Sequence, residues 1–232
     1  MTSLTTHLLN LNPSALHTST THPFLHSAGT STLPKATLSA WLSQDRLYAQ
    51  SYVRFIGLLL SKIRLPYTTT ANSPAPLESR ILTLLTSALL NIQRELTFFE
   101  TVAAEYNLDL QVPPPGATTF GPSEATHAYT DLFLSSGSSG VTLLEGLVVL
   151  WATEVCYYKA WGYAREVMEN NSKVQFIPNW TSEEFGRFVD EIAELVDEVS
   201  LGVADSEREE LLGRFTEPST IASPLEMQQC AS

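Results

Sequence analysis

Between Val141 and Glu169 the chain reads VTLLEGLVVLWATEVCYYKAWGYAREVME, with Leu143, Leu147, Leu150, Trp151, Val155, Tyr158 and Trp161 spread right around a helical wheel. A helix apolar on every side is a buried helix, packed against neighbours on several faces. Glu145, Thr153, Glu154 and Lys159 are too many polar residues for a bilayer span, which needs about 20 predominantly apolar ones. Two other long runs carry helical spacing. One, from Lys35 to Ile63, has Leu38, Trp41, Leu42, Tyr48, Tyr52, Phe55, Leu58 and Leu59; the other, from Leu77 to Leu108, has Ile81, Leu85, Leu89, Ile92, Leu96, Phe99 and Val102. Residues 123–136, with Tyr129 and Phe133, predict a shorter helix, and the apolar patch Leu8–Leu11 predicts a first one docked on the body. Thr181-Ser-Glu-Glu184 has capping-box spacing and opens a helix to Val199, and Asp205 or Ser206 caps a last one over Glu207–Phe215. YTTTANSPAP (67–76), the Pro-rich stretch Val112–Pro122 and SSGSSG (135–140) read as connections, the second free to move on the surface. No strand-type alternation and no fixed-period repeat occur. The pattern predicts an all-α bundle of about seven or eight helices in a single domain over residues 1–232. Residues 1–21 form an N-terminal extension packed on that body, and 109–122 a Pro-rich loop.

Two acidic residues interrupt the apolar faces. At about 100° per residue, Leu147, Trp151, Tyr157, Tyr158 and Trp161 fall within roughly 60° of Glu154. Glu145 lies about 180° away and Lys159 about 140°, and Arg165, on the same azimuth, sits roughly 16 Å along the axis. Asp45 has Trp41, Tyr48 and Tyr52 as its i−4, i+3 and i+7 neighbours, so a second acid stands in an aromatic setting on a second helix. A carboxylate inside such a wall either holds its proton or finds a polar partner, and this makes it a candidate for acid/base work. The plainer alternative is an acid satisfied by tyrosine hydroxyls in an ordinary core.

Charge narrows the function further. Thirteen basic against 25 acidic residues give −12, which opposes nucleic-acid binding, since phosphate affinity rests on clustered Lys and Arg. Cys156 and Cys230 form neither a disulfide framework nor a CxxC pair, and Cys156 points well away from Glu154. The first basic residue is Lys35, so no charged region of signal-peptide type precedes the LLNL run, and the cytoplasm is the expected location. No Glu-x-x-His pair suits a di-iron bundle, and no early histidine sits in a strong helical pattern of the kind a heme ligand would need. Only 16% of residues are charged, and many helical faces are apolar, which suggests an oligomer.

His22-Pro-Phe24, Gly29-Thr-Ser-Thr-Leu-Pro34 and Trp41-Leu-Ser-Gln-Asp45-Arg-Leu-Tyr48 together resemble the opening of the TenA / thiaminase II family. Tyr129-Thr130 ahead of Ser139-Gly140, Ala152–Gly162 and Phe176–Phe185 are similar to later family motifs in the same order, so the likeness spans residues 22–226. It implies a heme-oxygenase-like helical fold without a cofactor, and a homodimer or homotetramer. The implied activity is hydrolysis of a small-molecule aminopyrimidine related to thiamin, with C–N cleavage at the exocyclic methylene. In this register the nucleophilic cysteine of the common class falls on Glu154, which resembles a branch carrying glutamate instead. The family's late acid/base glutamate would match Glu226, and Trp180 stands where a tyrosine is usual. The implied catalytic residues are therefore Glu154, Glu226 and Asp45. Asp45, Tyr48, Tyr52, Tyr129, Tyr158 and Trp180 are the implied substrate-binding residues. The runner-up reading is a non-catalytic, pyrimidine-binding paralogue.

Overall fold

The computed structural model describes residues 2–68, 75–168 and 176–216. Among these residues there are ten helices and no strand: α1 (Leu4–Leu9), α2 (Pro13–Thr20), α3 (Pro23–Gly29), α4 (Lys35–Leu60), α5 (Leu77–Tyr106), α6 (Glu124–Gly137), α7 (Leu143–Glu166), α8 (Phe176–Trp180), α9 (Glu183–Leu201) and α10 (Asp205–Thr216). The all-α expectation holds. The surplus over seven or eight comes from short pieces, α2, α3 and α8, whose few residues carry little periodicity to read.

The run that looked apolar all round is the central helix. Thr142 starts α7 by accepting the N–H of Glu145 at 3.2 Å, a side-chain cap that satisfies one of the orphan donors at a helix start. Helices α2, α3, α4, α6, α8 and α9 then surround it. Gly146 lets α4 approach: a Cβ there would stand 2.3 Å from Cδ2 of Leu59. Helix α9 begins one residue later than the capping-box spacing suggests. Ser182 is the N-cap, accepting the N–H of Phe185 at 3.2 Å. Thr181 instead turns inward, where its hydroxyl donates to Ile177 O at 2.8 Å and the Arg165 guanidinium donates to its carbonyl at 2.6 Å. That arginine ties the α8–α9 junction to α7.

Side chains collect into two large apolar clusters. One gathers Phe55, Ile56 and Leu59 of α4, Ile81, Leu84 and Leu85 of α5, Phe133 of α6, Leu147–Trp151 of α7 and Ile192, Leu195 and Val196 of α9. The other holds Phe24 and Leu25 of α3, Trp41 and Leu42 of α4, Phe99 and Val102 of α5, Trp161 of α7 and Phe176, Ile177 and Trp180 of α8. Trp161 is its hub, with ring centroids 5.3 Å from Trp41, 4.5 Å from Trp180 and 5.7 Å from Phe176. Burying each such ring contributes on the order of 2–3 kcal/mol.

A polar stripe on α4 holds the ends of the Pro-rich connection. Ser39 accepts the N–H of Asp109 at 2.7 Å, and Ser43 accepts that of Val112 at 3.2 Å. The fully enclosed amide of Gln44 accepts from Ser123 N and Thr126 Oγ1, both at 2.8 Å, and donates to Gly121 O at 3.1 Å. The loop is thus pinned at both ends. The residue after Gln44 is Asp45, so the same anchoring sets the rotation of α4 at the acid. At the N-terminus, the backbone N–H and hydroxyl of Thr5 donate to the two oxygens of Asp197 at 2.9 and 2.8 Å, docking α1 on α9.

Candidate active site

Where the two apolar clusters fail to meet, a cavity of about 190 Å³ opens between α4, α5, α7 and the α8–α9 junction. Its aromatic walls are Tyr48 and Tyr52 of α4, Phe99 of α5, Tyr157 of α7, Trp180 of α8 and Phe185 and Phe188 of α9. Four acids line it: Asp45, Glu95 and Glu154, and at its exposed edge Glu184, which pairs with Arg94 at 3.5 Å. Asp45 is 3% exposed, and the hydroxyl of Tyr157 donates to its Oδ2 at 3.4 Å. Burial first, then the neighbouring charge of Glu95, pushes the Asp45 carboxyl well above the usual carboxylate range. Glu154 receives the hydroxyl of Tyr52, and burial drives it from the ordinary 4.5 up to about 7 against that hydrogen bond, with Glu95 adding to the rise. Glu95 accepts from the indole N–H of Trp180 and from Asn179 Nδ2 at 3.4 Å, and burial raises it likewise to about 7. A carboxyl poised near neutrality gives and takes protons with equal ease.

Local sequence explains the convergence. Asp45 follows the anchored Gln44. Glu154 lies on the one helix enclosed by six others. Glu95 sits between Ile92 and Phe99, its i−3 and i+4 neighbours, on the inward stripe of α5. A model described as the TENA/THI-4/PQQC family matches residues 10–221. The chain belongs to that family. It is 31% identical over 237 residues to a protein of Fusarium pseudograminearum (strain CS3096) named "Probable transcription factor", covering 86% of this chain and 46% of that protein. The chain thus spans about half the length of that relative. It is 21% identical over 193 residues to a "Probable bifunctional TENA-E protein" of Glycine max, covering 81% of this chain and 76% of the relative. The solved structure of a TenA homologue from Pyrococcus furiosus superposes with a TM-score of 0.80 at 26% identity, covering 99% of this chain and all of that one.

In this TENA/THI-4/PQQC protein five of the residues expected from sequence meet at the cavity: Asp45, Tyr48, Tyr52, Glu154 and Trp180. Tyr129 lies behind the wall rather than in it, its ring edge-on to Tyr48 with centroids 5.4 Å apart. Tyr158 is not on the cavity. It packs edge-on against Phe185 at 5.6 Å, and its hydroxyl lies 2.8 Å from where a Cβ on Gly186 would stand. The wheel placed residues 157 and 158 within about 60° of Glu154, on opposite sides, and the cavity opens on the side of Tyr157. Glu226 lies outside the described residues. Glu95, Tyr157 and the pair Phe185 and Phe188 are additions to the expected set. An acid flanked by Ile92 and Phe99 was the available signal for Glu95, the same signal that marked Asp45.

Cys156 does not line the cavity. It packs against the first cluster, and burial pushes its thiol up to about 11, which is far from the depressed values of nucleophilic thiolates. Cys156→Ser is therefore expected to retain turnover at a stability cost on the order of 1 kcal/mol. The check is steady-state kinetics beside thermal melting. Loss of activity in a folded variant, together with inactivation by a thiol-alkylating reagent, would overturn the assignment.

Among the described residues no helix is long and apolar enough to cross a membrane. His22, the early histidine nearest the family motifs, caps α3 by accepting the N–H of Phe24 through Nδ1 at 3.2 Å.

Proposed function

We propose that this protein hydrolyses a thiamin-related aminopyrimidine at the C–N bond of its exocyclic methylene, releasing the hydroxymethyl-pyrimidine for salvage. Two carboxylates from different helices, Asp45 and Glu154, open on one aromatic cavity, each held by a tyrosine hydroxyl, and this arrangement carries the reading. A planar heterocycle fits between the faces of Tyr48, Tyr52, Tyr157 and Trp180. Asp45 orients the ring by accepting from its 4-amino group or sharing a proton with a ring nitrogen. Glu154 moves the proton, either to the departing nitrogen or from the attacking water. Water oxygen forms the new bond to the methylene carbon, and the C–N electron pair leaves on nitrogen.

Membership in the family and the match to a TENA-E relative support thiamin-related chemistry. Glutamate at position 154, with Cys156 turned elsewhere, supports the branch that works without a cysteine nucleophile, and so a direct rather than covalent displacement. The name of the Fusarium relative suggests transcription instead, but a charge of −12 weighs against contact with nucleic acid. Incubating the protein with 5-aminomethyl-pyrimidine and measuring free ammonia tests the proposal. Pyrimidine binding without ammonia release would favour a carrier or sensor.

Self-association is part of the same proposal. Sedimentation at micromolar concentration is expected to show a homodimer or homotetramer, and a lone 25.6 kDa species would remove that part.

A further inference from the structure

Of the four acids on the cavity lining, Glu184 pairs with Arg94, whereas Asp45, Glu95 and Glu154 form no ion pair among the described residues. The donors on these three are all neutral: Tyr157 on Asp45, Tyr52 on Glu154, Trp180 and Asn179 on Glu95. The one basic residue on the lining, Arg94, is 69% exposed and faces outward to Glu184 at 3.5 Å. Nor do Asp45, Glu95 and Glu154 converge as ligands of one metal ion: no such group exists among the described residues. The acids are spread around an aromatic space, an arrangement suited to an organic cation that offers several N–H donors and a flat face.

The position of Glu95 separates it from Asp45, which is 3% exposed and lies beside Tyr157. Glu95 is partly exposed and stands between the exposed side chains of Arg94 and Asn179, so it belongs to the mouth side. A ring held by Asp45 has Glu154 and Glu95 on the walls of the same cavity to meet its methylene substituent. The cavity also limits that substituent. At about 190 Å³ it falls below the roughly 300–1,000 Å³ of pockets for drug-sized ligands, a size that favours a single ring with a small substituent.

We propose that Glu95 is the specificity-determining residue for the leaving group, its carboxylate pairing with the protonated aminomethyl nitrogen so that the enzyme selects a primary amine over neutral substituents. This rests on the aminopyrimidine reading above. The pairing also assists the chemistry. With the amine bound as an ammonium, its C–N bond breaks with the electron pair on nitrogen and neutral ammonia departs. The attacking water supplies the hydroxyl and gives its proton to Glu154. Trp180 fixes Glu95 for this task, since an indole N–H donates but never accepts.

The test is calorimetric. Dissociation constants are measured for 4-amino-5-aminomethyl-2-methylpyrimidine, on ice to slow turnover and with free ammonia followed in parallel, and for its neutral analogue bearing 5-methyl. Wild type is expected to bind the amine about 10- to 100-fold more tightly, the scale of one charged hydrogen bond. In Glu95→Gln, which keeps an oxygen for Trp180, the ratio is expected to fall towards 1. Glu95→Asp, with the charge retained on a shorter stem, is expected to keep part of it. A wild-type ratio near 1 overturns the proposal without any variant. An undiminished ratio in Glu95→Gln overturns it as well and leaves the aminopyrimidine function standing. Binding of neither ligand by wild type removes that function itself.

Discussion

Glu154→Gln is expected to lower kcat by about 10²–10⁴, the range for a lost general acid or base, while hydroxymethyl-pyrimidine still binds. Glutamine keeps the shape and an oxygen for the Tyr52 hydroxyl, so the wall of the cavity survives and only proton transfer is lost. The pH profile should lose its limb near 7, where burial places this carboxyl. Stability should respond in a defined direction. Below 4.5 both folded and unfolded chains hold the Glu154 proton. Between 4.5 and about 7 the unfolded chain releases it and the folded chain keeps it, so stability falls as pH rises through that window and then levels off. In Glu154→Gln this contribution disappears, and the difference in melting temperature between pH 5 and pH 8 should shrink. Asp45 and Glu95, both raised, pull the same way and leave a residual slope. Near-normal kcat in a folded Glu154→Gln protein would exclude the mechanism.

What could be seen in the sequence was set by periodicity. The uninterrupted apolar wheel of 141–169 marked α7 as central because only a helix enclosed on all sides can dispense with a polar face. Asp45 and Glu154 stood out because acids on apolar stripes are costly unless something uses or satisfies them. Glu95 carried the same signal between Ile92 and Phe99, but α5 is half exposed, and an acid on a two-sided helix reads at first as surface. The choice between Tyr157 and Tyr158 was not available from a wheel. It depends on which neighbour lies against each side of Glu154, and that is settled by the α8–α9 junction that Arg165 draws onto α7. Gln44 was silent for a similar reason: its three partners, Gly121, Ser123 and Thr126, are more than 70 positions away in the chain. Long-range polar pairing leaves no local pattern. The short helices α2, α3 and α8 likewise form by docking on α7 rather than by propensity, as helices of one or two turns are unstable alone.

Asp45→Asn should separate function from stability most clearly. Asparagine keeps an oxygen for the Tyr157 hydroxyl and nearly the same volume, but it removes the group that a protonated or amino-bearing ring would meet. Loss of one charge-assisted hydrogen bond in a buried site costs about 1.5–3 kcal/mol, or roughly 10- to 150-fold in pyrimidine affinity. Turnover should fall with it, because a ring no longer oriented by Asp45 presents its methylene poorly to Glu154. Folding responds in the opposite sense. The Asp45 carboxyl is 3% exposed, has no cationic partner among the described residues, and is held well above its ordinary range by burial, so its ionisation opposes the native state at neutral pH. Its removal should leave the melting temperature at pH 8 unchanged or higher, as expected when a destabilised functional group is made inert. If Asp45 served only to satisfy Tyr157, asparagine would satisfy it too, and the variant would bind the pyrimidine as well as wild type. Calorimetric titration with the hydroxymethyl-pyrimidine distinguishes the two outcomes, because affinity falls in one and is unchanged in the other, and thermal melts at pH 5 and pH 8 show that the variant is folded.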